Sequence, residues 1–480
     1  MSEPNQIGAV DARRLIGERR LSPVELLDAC IGRIEATDPP LNAIVSTCFE
    51  RARTEARAAE KAVADGDDLP PLHGLPIGIK DLSVTEGLRT TFGSPLYADW
   101  VPEADEQIVA TLRRAGAIVV GKTNTTEFGA GSNTTNDVFG PTRNPFDTDR
   151  TCGGSSGGSA VALATDMLPL CTGSDTGGSL RLPATWSGIV SLRPTPGLVP
   201  FERRVHALTP FQILGPMGRD VADTALLLSV MAEENGLDPM AYPRDAASFA
   251  EVPEVDLGDL RVAVSDDLGF APTGRVIRAT FGDRIDAFAS VFGRVEETHP
   301  DLSTAARVNW ILRAVLFLAN HKERYDAHRD KLGHTVIVNC EAALRIPIED
   351  VAWAQREQMR LHQRVHAFFQ DHDLLICPGA TIPPFPVEQL YPTEVDGKEL
   401  ETYVEWAGLT NVVSVLGCPV VALPCGSDPT GTPFGFQLIG PPRSERFVLG
   451  VAAALERVFA GRPDLARPIP VNPTDPAPRG

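Results

Sequence analysis

Two glycine-rich segments carry the serines of this sequence that could act as nucleophiles. Residues 152–160 read CGGSSGGSA, and residues 173–181 read GSDTGGSLR. Each places hydroxyl groups on a backbone that glycines allow to turn tightly and to approach a bound molecule. No histidine lies in either segment, so a serine nucleophile there needs another base. Lys80, in the apolar segment 72–82, is a candidate because burial lowers the pKa of an amine.

Each of these features also has a purely structural interpretation. A lysine in an apolar strand often extends its amine to solvent at the edge of a sheet, and segments rich in glycine and serine are commonly turns. Asp175 could be a reactive carboxylate, or it could order its loop by accepting backbone N–H groups or by pairing with Arg181. We favour the structural role for Asp175. We favour it for Asp81 as well, because strand alternation points Asp81 away from Lys80.

Two further motif matches suggest nucleotide binding and aspartic-protease chemistry, but the rest of the sequence lacks what each of these functions requires. Residues 116–123, GAIVVGKT, fit the phosphate-binding pattern GxxxxGK[ST], yet a helical pattern precedes them and strand-forming residues occupy the middle. The triplet DTG at 175–177 occurs once, whereas aspartic-protease chemistry needs two carboxylates that share a proton.

Two more matches suggest a hydrolase elbow and a metalloprotease. Residues 154–158 fit GxSxG with Ser156 at the centre, but no strand pattern precedes them. His362 and His366 have the spacing of a zinc-binding pair, but the glutamate that should lie between them is missing. We expect both histidines to be ordinary residues of an amphipathic helix.

The composition is that of a soluble globular protein. The 480 residues are 43% hydrophobic and 22% charged, and the net charge of −19 disfavours nucleic acid and anionic membrane surfaces as partners. We find no signal peptide and no stretch long enough to span a bilayer. The eight cysteines are scattered, which predicts free, buried thiols in a cytoplasmic protein. We expect no metal and no cofactor.

The elements that must position the candidate residues alternate between helix and strand. A capping box at 22–25 predicts a helix that runs toward residue 34, and a helix at 104–115 followed by a strand at 117–120 forms a helix-to-strand unit. Strands mixed with helices throughout predict an α/β fold with a mixed sheet covered on both faces. Further helices are predicted at 220–233, 274–291, 303–330 and 350–371, and strands at 261–267 and 374–379, followed by helix, two strands and helix in the last eighty residues.

Taken together, the segments around Lys80, Ser155 and Ser179 resemble the amidase signature family. The spacings of 75 and 24 residues between them match the family's arrangement. The flanking segments GKTNTTEF, FGPTRNP, SGIVSLRPTPGLVP and GFQLIGPP match as well. The close match covers about residues 70–230 and 405–460, and 235–400 align only loosely. The resemblance implies the α/β amidase-signature fold, with a central mixed β-sheet covered by helices on both faces.

The resemblance also implies how the chain is divided. An amidase signature core would comprise 66–235 and 400–465. An N-terminal helical segment, 1–65, would pack on that core, and a variable substrate-pocket region, 236–399, would be inserted in the same domain. Residues 466–480 would form a proline-rich tail.

Carried over by position, the family's catalytic roles fall on three residues. The resemblance makes Ser179 the nucleophile that forms an acyl-enzyme, Ser155 the bridging serine on a cis peptide bond, and Lys80 the terminal base. Protons would pass from Ser179 through Ser155 to neutral Lys80 and return to the leaving amine. The consecutive backbone N–H groups of Thr176, Gly177, Gly178 and Ser179 would bind the developing oxyanion. The resemblance places the family's contact with the substrate carbonyl at Gly129.

The implied function is hydrolysis of a C–N bond in a small amide or carbamate (urethane) by a monomer or homodimer. Two alternatives stay open: the glutaminase subunit of a tRNA-dependent amidotransferase, and a non-catalytic binding protein on the same scaffold. The amidotransferase subunit reads IRQPA after its serine, whereas residues 180–184 read LRLPA. Leu182 in place of glutamine favours a less polar substrate. The apolar helix within 303–320 could line a hydrophobic pocket or could simply be buried.

Overall fold

Eleven strands form one mixed sheet in this computed structural model, which describes residues 3–471. Two short two-stranded ribbons, β4–β5 and β12–β13, lie outside that sheet. The strands within the described residues are β1 (Ile44–Thr47), β2 (Pro76–Lys80), β3 (Ile118–Thr123), β4 (Arg143–Asn144), β5 (Asp147–Thr151), β6 (Leu170–Asp175), β7 (Val190–Arg193), β8 (Ile213–Gly218), β9 (Arg261–Val264), β10 (Arg294–Glu297), β11 (Leu374–Pro378), β12 (Glu394–Val395), β13 (Lys398–Glu399), β14 (Val420–Ser427) and β15 (Pro433–Ile439).

Helices connect most of these strands and cover the sheet. The α-helices within residues 3–471 are α1 (Ala9–Gly17), α2 (Pro23–Thr37), α3 (Phe49–Asp65), α4 (Gln107–Arg114), α5 (Gly157–Ala164), α6 (Arg181–Ser187), α7 (Val221–Met231), α8 (Arg275–Phe288), α9 (Ala305–His328), α10 (His334–Arg345), α11 (Ile348–Asp371), α12 (Gly408–Leu416) and α13 (Glu445–Ala460).

The sheet is mixed because it contains both parallel and antiparallel pairs of strands. Its strand order is β1-β3-β2-β6-β8-β7-β14-β15-β11-β9-β10. Strand β2 pairs in parallel with both β3 and β6, and β9 pairs in parallel with β10 and β11. Pairs such as β6–β8 and β14–β15 are antiparallel. The predicted α/β fold with a mixed sheet is confirmed.

Neighbouring side chains of one strand enter different hydrophobic cores, as strand alternation requires. In β11, Leu374 and Ile376 belong to a large cluster that includes residues of α7 and α13. Leu375 and Cys377 belong to a second cluster built with residues of α9, α11 and α12. Helices therefore cover both faces of the sheet, as predicted.

Local sequence signals explain several element boundaries. Helix α2 begins at a capping box: Ser22 Oγ accepts the N–H of Val24 at 2.9 Å, and the Glu25 side chain accepts the N–H of Ser22 at 3.1 Å. Asp220 caps α7 in the same way, through the N–H of Asp223 at 2.7 Å. The predicted helix at 104–115 is α4, which is shorter, and the strand that follows it is β3.

Three features differ from the sequence predictions. Helix α10 was not predicted, because its first turns are rich in β-branched residues that favour strands; Val336 and Cys340 nevertheless pack against Phe317 in a buried cluster. The N-terminal segment contains a strand as well as helices, since β1 forms one edge of the sheet. In the region 236–399, β9 and β11 match the predicted strands at 261–267 and 374–379, whereas β10 beside β9 was not predicted. Of the predicted tail, 472–480 lie outside the described residues.

Candidate active site

Lys80 and Asp175 end two neighbouring parallel strands, β2 and β6. The carboxyl ends of parallel strands lie at the same edge of a sheet. The backbone N–H of Lys80 donates to Thr172 Oγ1 at 3.0 Å, which fastens the end of β2 to β6. Ser155 lies just before α5, which packs against both strands. The topology thus brings three predicted segments, distant in sequence, to one edge of the sheet.

The Lys80 amine is buried among hydroxyl groups. Its Nζ lies 2.8 Å from Ser155 Oγ, 2.7 Å from Ser156 Oγ and 2.9 Å from Ser174 Oγ. Burial lowers the pKa of Lys80 well below its usual value, and the negative charge of Asp175 opposes that shift only in part. The neutral amine is therefore favoured far more than for an exposed lysine. Of these three serines, the sequence indicated only Ser155 as a partner of Lys80.

The hydrogen-bond directions around Nζ bear on which serine can give a proton to it. Ser156 Oγ donates to the Ser174 carbonyl oxygen at 3.2 Å, so it accepts an N–H from Lys80. A hydroxyl group has one donor and can also accept, and a neutral amine has two N–H groups and one lone pair. When Ser174 Oγ accepts the second N–H, the lone pair faces the hydroxyl of Ser155.

Ser155 is held where its hydroxyl can meet a bound molecule. It follows a cis peptide bond from Gly154, the single non-proline cis bond within residues 3–471, as the family resemblance implied. Its side chain borders a cavity of about 260 Å³. Gly129 lies beside it with φ +75°, and a Cβ at that position would be 3.5 Å from Ser155 Oγ. The backbone of Gly129 therefore forms the wall next to this hydroxyl.

Ser179 lies in the loop between β6 and α6 and borders a smaller, adjoining cavity. The two cavities share Gly129, Thr176 and Phe317 as lining residues. The Ser179 carbonyl oxygen accepts the N–H of Ser156 at 3.2 Å, which holds the loop beside the serines around the amine. Among residues 3–471 the Ser179 hydroxyl has no hydrogen-bond partner.

The loop leaves fewer free backbone donors than the four consecutive ones that the sequence implied. The N–H of Gly178 donates to Asp175 Oδ1 at 2.8 Å, so it is turned away from the cavity. The N–H groups of Thr176, Gly177 and Ser179 have no acceptor in the described part of the chain. These three donors remain for a bound substrate.

Glycine is required at two positions of this loop because of close contacts with α12. A Cβ on Gly177 would lie 2.2 Å from Asn411 Oδ1, and a Cβ on Gly178 would lie 2.3 Å from Thr410 Oγ1. Gly178 also has φ +118°, a conformation that other residues rarely adopt. Thr410 Oγ1 in turn donates to the Gly177 carbonyl oxygen at 3.0 Å. The loop and α12 thus fit together only without side chains at these positions.

Asp175 is held by two buried arginines. Its carboxylate accepts from Arg181 Nε and Nη2, both at 3.0 Å, and from Arg193 Nη1 at 2.8 Å. Burial alone would raise the pKa of Asp175, but the two guanidinium groups outweigh it and hold that pKa below its usual value. These contacts confirm the structural role predicted for Asp175: it orders the loop that carries Ser179.

The wall of the larger cavity combines aromatic and aliphatic side chains with about as many polar and charged ones. Helix α9 supplies Leu316 and Phe317, so the predicted apolar helix both lines the site and contributes to the core. Burial and the charge of Arg324 lower the pKa of His321 to about 3, so this imidazole is neutral. The sequence did not indicate the remaining lining residues that we name here, Leu82, Phe92, Phe128, Phe201 and Arg203.

The phosphate-binding match and the histidine pair are not part of the candidate site. Lys122, of the phosphate-binding match, is buried in strand β3 and donates to Thr85 Oγ1 at 2.9 Å. Asp81 lies 3.9 Å from that amine and accepts from Thr91, which agrees with its predicted structural role. His362 and His366 are exposed on α11. Within residues 3–471, no helix combines the length and apolar character that a membrane crossing needs.

Comparison with known proteins identifies the family. The sequence profile of the family described as Amidase matches residues 25–449. The chain belongs to the amidase signature family. As a member of this family it is a hydrolase of carbon–nitrogen bonds.

This amidase is similar to curated proteins of two kinds. It is 32% identical to an acylamidase of Rhodococcus erythropolis over 466 residues, covering 95% of this chain and 97% of that protein. It is also 32% identical to a glutamyl-tRNA(Gln) amidotransferase subunit of Moorella thermoacetica over 467 residues, covering 92% and 94%. Both similarities extend over nearly the whole chain.

Solved structures agree with the family. A bacterial aryl acylamidase of the amidase signature family superposes with a TM-score of 0.87 at 27% identity, covering 96% of this chain and 97% of that one. A 6-aminohexanoate cyclic dimer hydrolase complexed with substrate gives a TM-score of 0.83 at 26% identity, covering 95% and 98%.

Proposed function

We propose that this amidase hydrolyses a small amide or carbamate through an acyl-enzyme on Ser179, with Ser155 as the proton relay and Lys80 as the base. The observation that carries this proposal is the buried Lys80 amine, whose Nζ lies 2.8 Å from Ser155 Oγ while Ser155 borders a cavity. A desolvated amine is neutral and can accept a proton, which an exposed lysine at neutral pH cannot.

The reaction begins when Ser179 Oγ attacks the carbonyl carbon of the substrate. Its proton passes to Ser155 Oγ while the Ser155 proton passes to Lys80, which becomes an ammonium group. When the C–N bond breaks, the leaving nitrogen takes a proton from Ser155, and Lys80 restores that proton to Ser155. A water molecule then attacks the ester on Ser179 through the same relay and regenerates the serine. An amide substrate releases a carboxylic acid at this step, and a carbamate releases a carbonic half-ester.

The free backbone N–H groups of Thr176, Gly177 and Ser179 are the donors that we assign to the developing oxyanion. Removal of one such donor typically costs about 2.7–4 kcal/mol of transition-state stabilisation. Gly178 keeps a different role, since its N–H holds the loop to Asp175. We assign the contact with the carbonyl group of the substrate to Gly129, which lies next to Ser155 Oγ.

The larger cavity favours a substrate with an aromatic or aliphatic group. Phe92, Phe128 and Phe317 line it, together with Leu82 and Leu316. The similarity to an acylamidase and to an aryl acylamidase supports the same substrate class. We therefore place aryl and alkyl amides first, and carbamates with the same groups second.

The amidotransferase subunit is the second candidate, because several relatives at similar identity carry that name. The sequence argument against it, from Leu182, does not hold. Leu182 packs beside Trp186 and Trp406 in a buried apolar cluster and borders neither cavity at the site, so it cannot select the substrate directly.

A labelling experiment tests the catalytic assignment. A fluorophosphonate should add one adduct to the wild-type chain by intact mass, and peptide mapping should place it on Ser179. Ser179→Ala should remain unlabelled, and Lys80→Ala should label far more slowly because the base is lost. An adduct on Ser156 or Ser155 in the wild type would overturn the assignment.

A substrate panel separates the two candidate functions. The isolated chain is assayed with anilides, alkyl amides, carbamates, esters and glutamine. Turnover of anilides or alkyl amides by the chain alone supports the free-standing hydrolase. Glutamine hydrolysis only after the other amidotransferase components are added would instead favour the second candidate.

A further inference from the structure

Arg313 is the exception among the buried arginines. Four arginines are buried within residues 3–471: Arg181, Arg193, Arg219 and Arg313. The first three each form an ion pair with an aspartate at 3.0 Å or less. Arg313 is only 5% exposed, yet no described acidic side chain lies within 4.0 Å of its guanidinium group.

The groups that do contact Arg313 are neutral. Its Nη2 donates to the Tyr403 hydroxyl at 2.6 Å and its Nη1 donates to Asn339 Oδ1. The guanidinium carbon lies 4.4 Å from the centre of the Phe317 ring and 5.4 Å from that of Tyr403. A guanidinium group has five N–H donors, so three are left without an acceptor. A buried charge without a counter-charge is costly, which indicates that a partner outside the chain supplies it.

Arg313 faces the same small cavity as Ser179. The residues that line this cavity contain no aspartate or glutamate and no second cation: Gly129, Gly131, Ser132, Thr176, Gly177, Ser179, Arg313, Phe317, Tyr403, Val404 and Asn411. A molecule bound to the nucleophile therefore meets one buried, uncompensated positive charge on this side, and on the other side the larger cavity, whose wall includes the rings of Phe92, Phe128 and Phe317.

We propose that Arg313 selects substrates that carry an anionic group, such as a carboxylate, on one side of the scissile C–N bond. This deepens the proposed function and rests on it. The anionic group occupies the small cavity against the free N–H donors of Arg313, and the apolar part of the substrate occupies the larger cavity. A planar guanidinium group suits a carboxylate because two parallel N–H donors can reach its two oxygens.

Two other arginines near the site do not support the same inference. Arg203 is exposed and Arg324 is half-exposed, so water can solvate their charges, and Arg203 also lies 3.5 Å from Glu106. An exposed arginine without an ion pair is ordinary. The burial of Arg313 is what makes its missing counter-charge informative.

The first test compares matched substrates on the wild-type enzyme. Glutaric mono-4-nitroanilide carries the carboxylate on the acyl side, and 5-oxohexanoic 4-nitroanilide replaces it by a methyl ketone of similar shape. A second pair places the charge on the amine side: N-(4-phenylbutanoyl)-β-alanine and its N-(3-oxobutyl) analogue. We expect the anionic member of one pair to show a kcat/KM about 10- to 100-fold higher, and which pair responds identifies the side that meets Arg313.

The second test changes the arginine and follows the ratio of kcat/KM for the anionic and neutral members of the responding pair. Arg313→Met should bring this ratio close to one, and Arg313→Lys should give an intermediate value because it keeps the charge without the paired donors. Arg307→Met is the matched control: Arg307 lies on the same helix but is exposed and pairs with Asp350 at 2.8 Å. It should leave the ratio unchanged.

The outcomes distinguish the role proposed for Arg313 from the proposed function on which it rests. Equal kcat/KM within both wild-type pairs, with Ser179 still labelled by a fluorophosphonate, would overturn the role of Arg313 and leave the proposed function standing. Absence of labelling on Ser179 would overturn the proposed function itself. Because the wild-type comparison needs no variant, a misfolded Arg313→Met chain would not prevent the test.

Discussion

Lys80 Nζ and Ser155 Oγ lie 2.8 Å apart in a protein interior where each residue is 1% exposed. The first consequence is electrostatic. With so little water to solvate an ammonium group, the amine binds a proton less readily than a lysine at the surface. The second is geometric, since the cavity reaches Ser155 while Lys80 stays behind it. The base therefore reaches the cavity only through serine hydroxyl groups, those of Ser155 and Ser174, which both border it.

The pH dependence of turnover should follow the protonation of the Lys80 amine. Burial lowers the pKa of Lys80 well below its usual value, and the neutral form is the base. We therefore expect kcat/KM to fall as pH falls through that lowered pKa, with an acid limb far below the ordinary lysine value of about 10.4. Lys80→Arg keeps the charge but cannot be deprotonated, so it should lose about 10²- to 10⁴-fold in kcat/KM. An acid limb unchanged in Lys80→Arg would contradict the assignment.

The hydroxyl of Ser174 should tune the amine without relaying protons. It lies 2.9 Å from Lys80 Nζ and can accept an N–H from it. Ser174→Ala removes an acceptor that stabilises the ammonium form, so the pKa of Lys80 should fall and the acid limb of kcat/KM should move to lower pH. Ser155→Ala should instead lose turnover at every pH. Ser187→Ala is the control, since the buried Ser187 hydroxyl has no partner in the described residues. A similar shift of the acid limb in Ser187→Ala would show that the shift in Ser174→Ala does not come from its contact with Lys80.

Double variants should distinguish the two glycines of the Ser179 loop. A Cβ on Gly177 meets only the Asn411 side chain, whereas Gly178 combines a clash with Thr410 and φ +118°. Strain from an unfavourable backbone conformation costs on the order of 1–3 kcal/mol. By thermal unfolding, Asn411→Ala should therefore recover most of the stability lost in Gly177→Ala. Thr410→Ala should recover only part of that lost in Gly178→Ala, and full recovery there would refute the backbone explanation.

Asp175→Asn should destabilise the protein strongly at neutral pH. It leaves Arg181 and Arg193 buried without their counter-charge, a change that typically costs about 3–5 kcal/mol. The pKa of Asp175 is lowered in the folded protein, so its contribution is complete above the unfolded value of about 3.9 and is lost as pH falls below it. The difference in unfolding free energy between variant and wild type should therefore shrink in acid. A difference that stays constant from pH 7 to pH 3 would contradict this account.

Thiol reagents should leave catalysis intact. All eight cysteines are free and seven of them are buried, and burial raises the pKa of Cys152 and Cys171, near the site in sequence, to about 12. We expect iodoacetamide to modify the native enzyme slowly and without loss of activity, and all thiols to react once the chain is denatured. Rapid inactivation that substrate prevents would point to a cysteine nucleophile instead.

The sequence predicted the fold class and the segments that meet at the site, because both depend on local patterns. The capping box at Ser22 and the alternation of helix and strand are readable from neighbouring residues. Helix α10 was not, since its β-branched residues are held in a helix by packing against Phe317. Strand β1 was missed because pairing with β3, far along the chain, defines it.

The site was predicted in part for the same reason. Lys80, Ser155 and Ser179 carry recognisable spacing, but Ser174 and Ser156 become neighbours of the amine only when β2 and β6 pair. The missing counter-charge of Arg313 is likewise invisible in sequence, since it depends on every residue that folding brings near. Sequence patterns predict which residues belong to the site, whereas three-dimensional packing decides which of their charges are compensated.

The contacts of Arg181 have a consequence for how the enzyme is made. Besides Asp175, its guanidinium group donates to Gln437 Oε1 at 2.6 Å and to Ser414 Oγ at 2.8 Å. A chain still on the ribosome that has emerged only to α11 already contains Lys80, Ser155 and Ser179. It lacks α12, which carries Ser414, and β15, which carries Gln437, and with them two of the acceptors that fix Arg181. The surroundings of Arg181, and with them the order of the Ser179 loop, are therefore complete only once the last strands of the sheet have been synthesised.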